Sequence, residues 1–392
     1  MDRIELCKLI ETIFGSLGCI FDRDSVNVHP STEITFVRLV INMHLSHGSN
    51  IEQEDSTATA AAPNFKLGKL PESVRMMLVK RFGSQTLSYS AATQTGLRHF
   101  GSQEGFIAYQ SKFGYTFALS DPVADPGNFD SIISAFLEFF PRAAFVQVSD
   151  RVAEILAEKN FWINEMGVDT RLNLLNYDFR GKEKERFRYA ANWLTRRNFS
   201  ITELPFNDEV ILQTKSLCQR WRSTRRVKQE TAFINRPMEY WDQPDMRRFF
   251  LLDPKGQIAA FVFFDPIYEN GNIIGYVTSF KRRDTNCPSM AELGICKIAI
   301  EKFRAEGKQV VKLGLSPLAE IDDGKFRHNW IMKRSFRFVH SAGWVNRYFY
   351  NVKGHAEFKN RFRGETEKTY FATQTFINDF RLFALMRLSK IL

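Results

Sequence analysis

Closely spaced cysteines are missing from this sequence. The five cysteines form no Cys-x-x-Cys pair, and no histidine stands near them at the spacing of a metal site. This arrangement excludes a disulfide framework and a zinc site built from neighbouring ligands, and it predicts reduced, buried thiols in a cytoplasmic protein. The cysteines are Cys7, Cys19, Cys218, Cys287 and Cys296.

Long hydrophobic runs are missing too. No apolar stretch approaches the roughly 18 residues that a membrane-crossing helix needs, so we expect no transmembrane span. The N-terminus has no basic segment followed by an apolar run, which is the pattern of a signal peptide. The expected location is the cytoplasm, with peripheral contact at the inner face of the membrane left open.

The sequence is rich in positive charge and phenylalanine. Lys and Arg outnumber Asp and Glu by 54 to 44, and the net charge of +10 favours an anionic partner such as nucleic acid or phospholipid headgroups. The 37 phenylalanines predict large aromatic cores, with an apolar channel as the other interpretation. At 392 residues, two domains are expected, and the oligomeric state is left open.

Composition and pattern divide the sequence into four parts. Residues 1–65 are an N-terminal extension that ends in a polar, small-residue linker. Residues 66–175 mix strand and helix patterns, and residues 176–375 repeat that theme, so we expect two successive domains. Residues 376–392 form an amphipathic helix, for which we consider docking onto the protein and lying on anionic lipid.

Hydrophobic periodicity predicts the elements of both domains. Helices are predicted at Pro71–Phe82, Asn128–Phe140, Arg151–Lys159, Lys182–Arg197, Asp208–Arg222 and Met290–Glu306. Strands are predicted near Thr86–Ser90, Leu97–Phe100, Gly105–Gln110, Tyr115–Leu119, Ala144–Val148, Phe199–Leu204, Phe249–Leu252, Ile258–Asp265, Ile273–Phe280, Val310–Leu315 and Arg347–Val352. A hairpin turn is predicted at Glu269–Asn272. Antiparallel strands followed by a strand–helix–strand crossover give a mixed α/β (α+β) fold in the order of the Gcn5-related N-acetyltransferases.

The stretch Tyr350–Phe362 carries the clearest motif. Its residues read as a short strand, a turn at Gly354 and the start of a basic helix, with Phe358 and Phe362 on one helical face. The stretch resembles the closing signature of the cytosolic catalytic domain of bacterial phosphatidylglycerol lysyltransferases, which runs roughly Tyr-Asn-Phe-x-Gly-Leu-x-x-Phe-Lys-x-Lys-Phe.

Six further blocks extend this resemblance, in order, over about residues 80–375. They are Leu119–Ala124, Phe145–Ser149, Gly181–Asn192, the spaced residues Trp221, Glu230 and Phe233, the triplet Lys281–Arg283, and Leu313–Leu318. The resemblance implies two tandem Gcn5-related folds with mostly antiparallel sheets, the second of them catalytic. It also implies transfer of an aminoacyl group from aminoacyl-tRNA to a lipid or small amphiphilic acceptor, without a metal or cofactor.

The resemblance further implies which residues act. The catalytic candidates are Lys359, Arg361, Tyr350 and Asn351. The substrate-binding candidates are Thr278, Arg282, Arg283, Glu292, Glu230, Phe233, Ser316, Phe358, Phe362, Arg363 and Tyr370. The candidates for binding tRNA or another anion are Lys182, Lys184, Arg186, Arg188, Arg225 and Arg226. Thr278 stands where the family commonly has an acidic residue that would suit a lysyl side chain.

Other interpretations of these residues remain. Lys359 is a solvated surface lysine in the simplest alternative, and basic helix faces are often exposed without a ligand. His328, His340 and His355 are candidate general bases, although isolated histidines are mostly structural.

Two other functions are considered. One is an N-acyltransferase that uses an acyl-CoA or acyl-carrier-protein thioester, and the other is a non-catalytic binding module. Residues 282–289 contain no glycine, and Pro288 lacks an amide N–H, so they make a poor loop for the pyrophosphate of CoA. No Ser-His-Asp or Cys-His signature is present, and acyl transfer from an activated ester does not require one.

Overall fold

The structure, a computed structural model, describes residues 66–68, 70–225, 229–322, 324–341, 343, 352–376 and 380–391. These residues lie within one unit of the chain, Ala62–Leu392. All of the predicted N-terminal extension and linker, residues 1–65, lies outside the described residues. So do three candidate site residues, Arg226, Tyr350 and Asn351.

The described elements follow one another as short strands and helices. The helices are α1 (Glu72–Phe82), α2 (Ser88–Thr93), α3 (Phe129–Phe139), α4 (Asp150–Glu158), α5 (Glu185–Arg196), α6 (Asp208–Ser223), α7 (Ala291–Ala305), α8 (Trp330–Ser341), α9 (Val352–Asn360) and α10 (Arg381–Leu388). The strands are β1 (Lys66–Gly68), β2 (Arg98–Ser102), β3 (Gly105–Lys112), β4 (Tyr115–Ala124), β5 (Ala144–Val148), β6 (Trp162–Asn173), β7 (Ser200–Glu203), β8 (Arg247–Leu252), β9 (Ile258–Glu269), β10 (Asn272–Arg283), β11 (Val310–Pro317) and β12 (Glu365–Thr373).

Local sequence explains several element boundaries. The β9–β10 hairpin turns at Asn270 and Gly271, both of which have positive φ (49° and 83°), as the predicted Asn-Gly turn requires. Asn207 caps α6, because its side-chain oxygen accepts a hydrogen bond from the Val210 amide at 3.0 Å. Acidic residues open α6 and arginines close it, which complements the helix dipole.

The described strands form one sheet in the order β1-β2-β3-β4-β5-β12-β6-β11-β10-β9-β8-β7. Two neighbouring pairs are parallel, β4 with β5 and β10 with β11, and the other pairs are antiparallel. Each parallel pair is joined by a helix, α3 in the first half of the chain and α7 in the second. The predicted mixed, mostly antiparallel fold with a repeated strand–helix–strand crossover is therefore confirmed.

The two halves exchange their last strands at the centre of the sheet. The strand β12, from the end of the second half, pairs with β5 and β6, and β6, from the first half, pairs with β11. The sheet consequently runs through both halves without a break. The division at residues 175 and 176 stays a prediction.

Alternation along the strands distributes side chains between three cores. In β4, Phe117 and Leu119 enter one apolar cluster that both halves share, whereas Ala118 enters a second cluster, which is built mainly from the first half and includes Tyr370 and Ala372 of β12. In β9, Phe263 joins the shared cluster and Phe264 joins a third, which lies under α5 and α7. The phenylalanines thus fill aromatic cores, as expected.

Some predicted elements are wrong. The segment near Thr86–Ser90 is not a strand, since α2 begins at Ser88 and all six of its residues are buried. Val352 begins α9 rather than ending a strand, and Gly354 lies inside that helix instead of forming a turn. The last described strand is β12, which the hydrophobic pattern does not predict because its first residues are charged and polar. It is a strand because it pairs with β5 on one edge and β6 on the other.

The C-terminal helix α10 docks onto the protein. Arg381 is 1% exposed and donates a hydrogen bond to the Thr375 hydroxyl at 2.6 Å. The Phe383 ring stacks on Phe113 with centroids 6.1 Å apart. In the described part of the chain, no helix is long and apolar enough to cross a membrane.

Candidate active site at the divergence of two parallel strands

The strands β10 and β11 separate after a short parallel pairing. Pairing covers three positions, from Gly275 with Val310 to Val277 with Lys312. Beyond them, the Thr278 hydroxyl donates a hydrogen bond to the Leu313 carbonyl at 2.9 Å. Gly314 then adopts a φ of 76°, a conformation that only glycine adopts without strain. The result is a gap between two strands, lined by backbone carbonyl groups.

Lys359 occupies this gap. It belongs to the buried stripe of α9, together with Val352 and Ala356, and it is 5% exposed. Its Nζ donates hydrogen bonds to the carbonyl oxygens of Gly314 at 2.7 Å and Leu315 at 2.5 Å. The structure therefore excludes the interpretation of Lys359 as a solvated surface residue.

The environment of Lys359 makes its ammonium form costly. Burial, helped by the charge of Lys281 and opposed by Asp169, lowers the pKa of Lys359 to about 7. An ammonium group has three N–H donors, and the two carbonyls use two of them. The pKa of Lys359 thus lies near neutrality, and its ammonium form has one N–H for which the described residues provide no acceptor.

Further cations gather beside α9. The Lys281 Nζ lies 4.3 Å from the centroid of the Phe358 ring, and the Arg282 guanidinium lies 3.9 Å from that of Trp221. Arg225 stacks on the same indole at 4.6 Å. Burial and the charges of Lys281, Lys359, Arg225 and Arg282 lower the pKa of His355 to about 3, so this histidine is neutral at physiological pH and a weak base.

One carboxylate anchors this cationic surface. Glu230 accepts hydrogen bonds from Arg222 and, at 3.2 Å, from Arg282. It thereby holds Arg282 against Trp221, and it links the end of α6 to the end of β10. The predicted candidates Glu230, Arg282 and Arg225 are accordingly brought together, but they lie around Trp221 rather than at the Lys359 ammonium.

Arg361 lies in the turn that follows the last residue of α9, Asn360, and is not part of the gap. It is exposed and lines a surface cleft of about 320 Å³ with Arg186, Glu357, Asn360 and Arg363. A second cleft, of about 290 Å³, lies beside β8 and does not include Lys359. The structure therefore separates the two predicted catalytic cations into a buried group, Lys359, and a surface group, Arg361.

The first half has an equivalent gap that is closed. The strands β4 and β5 also pair at three positions, up to Leu119 with Val146, and then separate. There the Asp121 carboxylate accepts a hydrogen bond from the Ser149 amide at 2.8 Å and bridges the two strands. Burial raises the pKa of Asp121. A carboxylate thus bridges the first gap, whereas the buried Lys359 enters the second, and we therefore place the candidate active site in the second gap.

The remaining substrate-binding candidates are scattered. Arg283 donates to the Cys287 carbonyl at 3.2 Å and lies 4.0 Å from Glu292, at the start of α7. Phe233 is buried against Phe117, and Tyr370 donates to Asp150 at 3.0 Å in the first half. The ring of Phe362 packs edge-to-face on that of Phe358 at 5.5 Å. Ser316 is 1% exposed, on β11 beyond the gap.

The basic residues before and within α5 differ in their environments. Lys182 and Arg186 are exposed. Lys184 is buried and donates to the Phe362 carbonyl, and burial lowers its pKa to about 8. Arg188 donates to the Phe179 carbonyl at 2.6 Å. Lys184 and Arg188 therefore fix the local fold, and Lys182 and Arg186 are left to meet an anion.

No sequence pattern singles out Asp169. It lies on β6 opposite Leu315, whose carbonyl accepts from Lys359, and it accepts a hydrogen bond from Thr86. Its second oxygen has no hydrogen-bond partner among the described residues. Burial raises the pKa of Asp169, and Lys312 opposes this. Only the exchange of strands between the halves brings this carboxylate next to the gap.

Among the described residues, no three His, Cys, Asp or Glu side chains are grouped as metal ligands. The three described cysteines, Cys218, Cys287 and Cys296, are buried and not disulfide-bonded. Burial raises the pKa of both Cys287 and Cys296 to about 12, so neither is a nucleophilic thiolate.

Comparison with known proteins relates this architecture to one family. The family model of the phosphatidylglycerol lysyltransferase C-terminal region matches residues 76–373. The phosphatidylglycerol lysyltransferase of Staphylococcus epidermidis is 21% identical over 307 residues, which cover 76% of this chain and 35% of that protein. The enzyme of the same name from Staphylococcus haemolyticus is 25% identical over 175 residues, which cover 43% of this chain and 20% of that protein. The chain thus spans between a fifth and about a third of the length of these relatives.

Two solved structures share the fold. The structure of L-PGS from Bacillus licheniformis superposes with a TM-score of 0.67 at 16% sequence identity. The superposition covers 82% of this chain and 98% of the L-PGS chain. A C-terminal domain from Agrobacterium fabrum superposes with a TM-score of 0.64 at 19% identity, covering 78% and 92%. The resemblance seen in the sequence blocks is therefore confirmed at the level of family and fold.

Proposed function

This chain belongs to the family of the phosphatidylglycerol lysyltransferase C-terminal domain, and on that premise we propose that it is an aminoacyltransferase. Its donor is aminoacyl-tRNA, and its acceptor is a hydroxyl group of a lipid or another amphiphile. The observation that carries this proposal is the buried Lys359, held by the Gly314 and Leu315 carbonyls where β10 and β11 separate.

The reaction needs little more than positioning and charge stabilisation. The acceptor oxygen bonds to the carbonyl carbon of the aminoacyl ester, and the bond from that carbon to the ribose oxygen breaks. The proton of the acceptor hydroxyl ends on the ribose oxygen. Between these events the former carbonyl oxygen carries a negative charge, and the third N–H of the Lys359 ammonium is available to donate to it.

The donor also brings a positive charge, its α-ammonium group, two bonds from the reacting carbonyl carbon. We assign this group to Asp169, the buried carboxylate opposite Leu315, whose second oxygen lacks a partner among the described residues. Asp169 and Lys359 approach the same backbone position, Leu315, from β6 and α9. In one aminoacyl group, the oxyanion would lie next to the Lys359 ammonium and the α-ammonium next to the Asp169 carboxylate.

The RNA part of the donor requires cations and stacking surfaces outside the gap. Arg282 and Arg225 lie against Trp221, Lys281 lies against Phe358, and the exposed Arg186 lines the surface cleft with Arg361 and Arg363. Lys182 is exposed just before α5. Arginines beside an indole suit both phosphates and bases. We propose these two surfaces for the acceptor end of the tRNA.

A CoA thioester is a weaker candidate for the donor. In the loop between β10 and α7, polar groups form hydrogen bonds with one another. The Cys287 amide donates to the Asp284 carbonyl at 3.1 Å, and the Arg283 side chain donates to the Cys287 carbonyl. The N-terminus of α7 follows Pro288 and Met290, without a glycine-rich turn for a pyrophosphate. The loop therefore offers few free amides to such a ligand.

The proposal is tested by transfer from a labelled pool. The purified protein is incubated with total tRNA charged with radiolabelled amino acids and with lipids of its host. Label that enters the organic-extractable fraction, and that disappears when RNase is added first, is the expected result. Label transferred from acyl thioesters instead, or no transfer with any donor, would refute the aminoacyl-tRNA proposal.

The rate of transfer is expected to fall as the pH rises through about 7. Below that value Lys359 carries the proton that the oxyanion needs, and above it the ammonium is lost, because its pKa is lowered from the ordinary value of 10.5. The measurement is kcat/KM against pH with the same aminoacyl-tRNA donor for the unchanged protein and for Lys359→Arg, so that titration of the donor's α-ammonium group affects both profiles equally. Lys359→Arg stays protonated and should lack the part of the decline that Lys359 causes. The same decline in that variant would assign it to another group.

A further inference from the structure

The helix α8 carries only one sign of charge. Its twelve residues include Lys333, Arg334 and Arg337 and no Asp or Glu. Its inner side is apolar, with Met332 and Phe336 buried. The helix is thus amphipathic, with a cationic outer side.

The outer side also exposes aromatic rings. Trp330 is 46% exposed and Phe338 is 44% exposed, and among the described helices α8 alone carries two exposed large apolar side chains. Arg334 is exposed between them, with its guanidinium 5.3 Å from the centroid of the Trp330 ring. A spacing of four residues puts Trp330, Arg334 and Phe338 on one stripe, about 12 Å long.

The stripe is presented on a fixed support. The Asn329 side chain caps α8 by accepting from the Ile331 amide at 3.0 Å. Asn329 and Asn164 of β6 exchange two hydrogen bonds, at 3.0 and 3.1 Å, and both are buried. On the flank, Arg337 donates to the Ile321 carbonyl at 2.8 Å. Exposure of the two rings is therefore a property of a well-anchored helix.

We propose that the stripe Trp330–Arg334–Phe338 docks on the surface of an anionic phospholipid bilayer. Tryptophan and phenylalanine favour the boundary between headgroups and acyl chains, and a cation between them meets the lipid phosphate. The absence of acidic residues from α8 removes the repulsion that an anionic surface would otherwise exert.

The position of α8 relates the proposed membrane contact to the candidate active site. This helix packs against α9, which carries Lys359, and against β6. A bilayer held at the stripe would bring acceptor headgroups to the side of the molecule where the buried lysine lies. That purpose rests on the proposed aminoacyl transfer to a lipid, whereas the docking itself does not.

The test is co-sedimentation of the full chain with vesicles. Trp330→Ser combined with Phe338→Ser is expected to lower partitioning onto vesicles of phosphatidylglycerol and phosphatidylcholine by about tenfold or more. Arg334→Glu should abolish the preference for these vesicles over phosphatidylcholine alone. Trp241→Ser with Leu212→Ser, which removes side chains that are 42% and 69% exposed elsewhere, is the matched control and should bind as the unchanged protein does.

Two outcomes would overturn the docking surface. One is equal sedimentation of the Trp330/Phe338 variant and the unchanged protein. The other is a loss of affinity for total tRNA in that variant while vesicle binding persists, which would assign the stripe to RNA.

A separate assay keeps this result apart from the proposed transfer. The Trp330/Phe338 variant should transfer the aminoacyl group to a short-chain, water-soluble phosphatidylglycerol at the normal rate and fail with vesicles. Vesicle binding without any transfer would leave the docking surface standing and refute the proposed function.

Discussion

Lys359→Met is expected to lower the rate of aminoacyl transfer about 100- to 1,000-fold, the usual effect of removing one donor to a developing oxyanion. Methionine fills nearly the same volume and cannot donate to the oxyanion or to the Gly314 and Leu315 carbonyls. The measurement is single-turnover transfer from aminoacyl-tRNA with saturating enzyme. This assay reports the chemical step rather than binding of the donor.

Stability separates this effect from unfolding. Loss of the two hydrogen bonds to the carbonyls destabilises the Lys359→Met variant, whereas removal of a buried charge opposes this, so we expect the variant to remain folded at neutral pH, with a cooperative thermal transition. Lys353→Met is the matched control, since Lys353 is an exposed lysine on the same helix. Normal transfer by Lys359→Met, or equal losses in both variants, would contradict the assignment of the oxyanion to Lys359.

Arg236→Ala is expected to destabilise the fold by about 3–5 kcal/mol, the cost of removing one partner from a buried ion pair. The Arg236 guanidinium lies 2.6 Å from the Asp265 carboxylate, and the two side chains are 2% and 5% exposed. Arg236 also donates to Thr93 at 3.1 Å, which ties the segment before β8 to α2. Loss of the guanidinium leaves a buried carboxylate whose pKa burial already raises. Guanidinium chloride unfolding measures the change.

Two further variants test the cause. Lys325→Ala removes two surface ion pairs, with Asp150 and Glu154, whose side chains are all about half exposed, and it should destabilise the fold far less than Arg236→Ala does. Arg236→Met combined with Asp265→Leu removes both buried charges and should recover part of the loss. A destabilisation by Arg236→Ala no larger than that by Lys325→Ala would show that the buried pair contributes little.

The two halves show how one strand arrangement supports two outcomes. Both contain a parallel pair that separates after three positions. In the first half Asp121 closes the gap through the Ser149 amide, and in the second Lys359 enters it from α9. Asp121 bridges the two strands with one carboxylate oxygen, and its other oxygen has no hydrogen-bond partner among the described residues. The two gaps therefore differ in the sign of the buried group that enters them, a carboxylate in the first and a lysine in the second.

Much of the fold could be predicted because its signals are local. The Asn270-Gly271 turn, the alternation in β4 and the long amphipathic helices α6 and α7 depend on nearby residues, and the structure has them close to the predicted positions. The strand β12 could not be predicted, because its polar sequence becomes a strand only between β5 and β6.

The sequence by itself determined the family, the repeated crossover and the candidate Lys359. Motif order and hydrophobic periodicity can be recognised without knowing which distant residues are in contact. The tertiary structure decided that Lys359 is buried beside two carbonyls, that Arg361 faces a surface cleft and that Asp169 lies opposite Leu315. Each of these depends on pairing between residues far apart in the chain. Burial and charge at such contacts set the pKa of Lys359, and no local pattern encodes them.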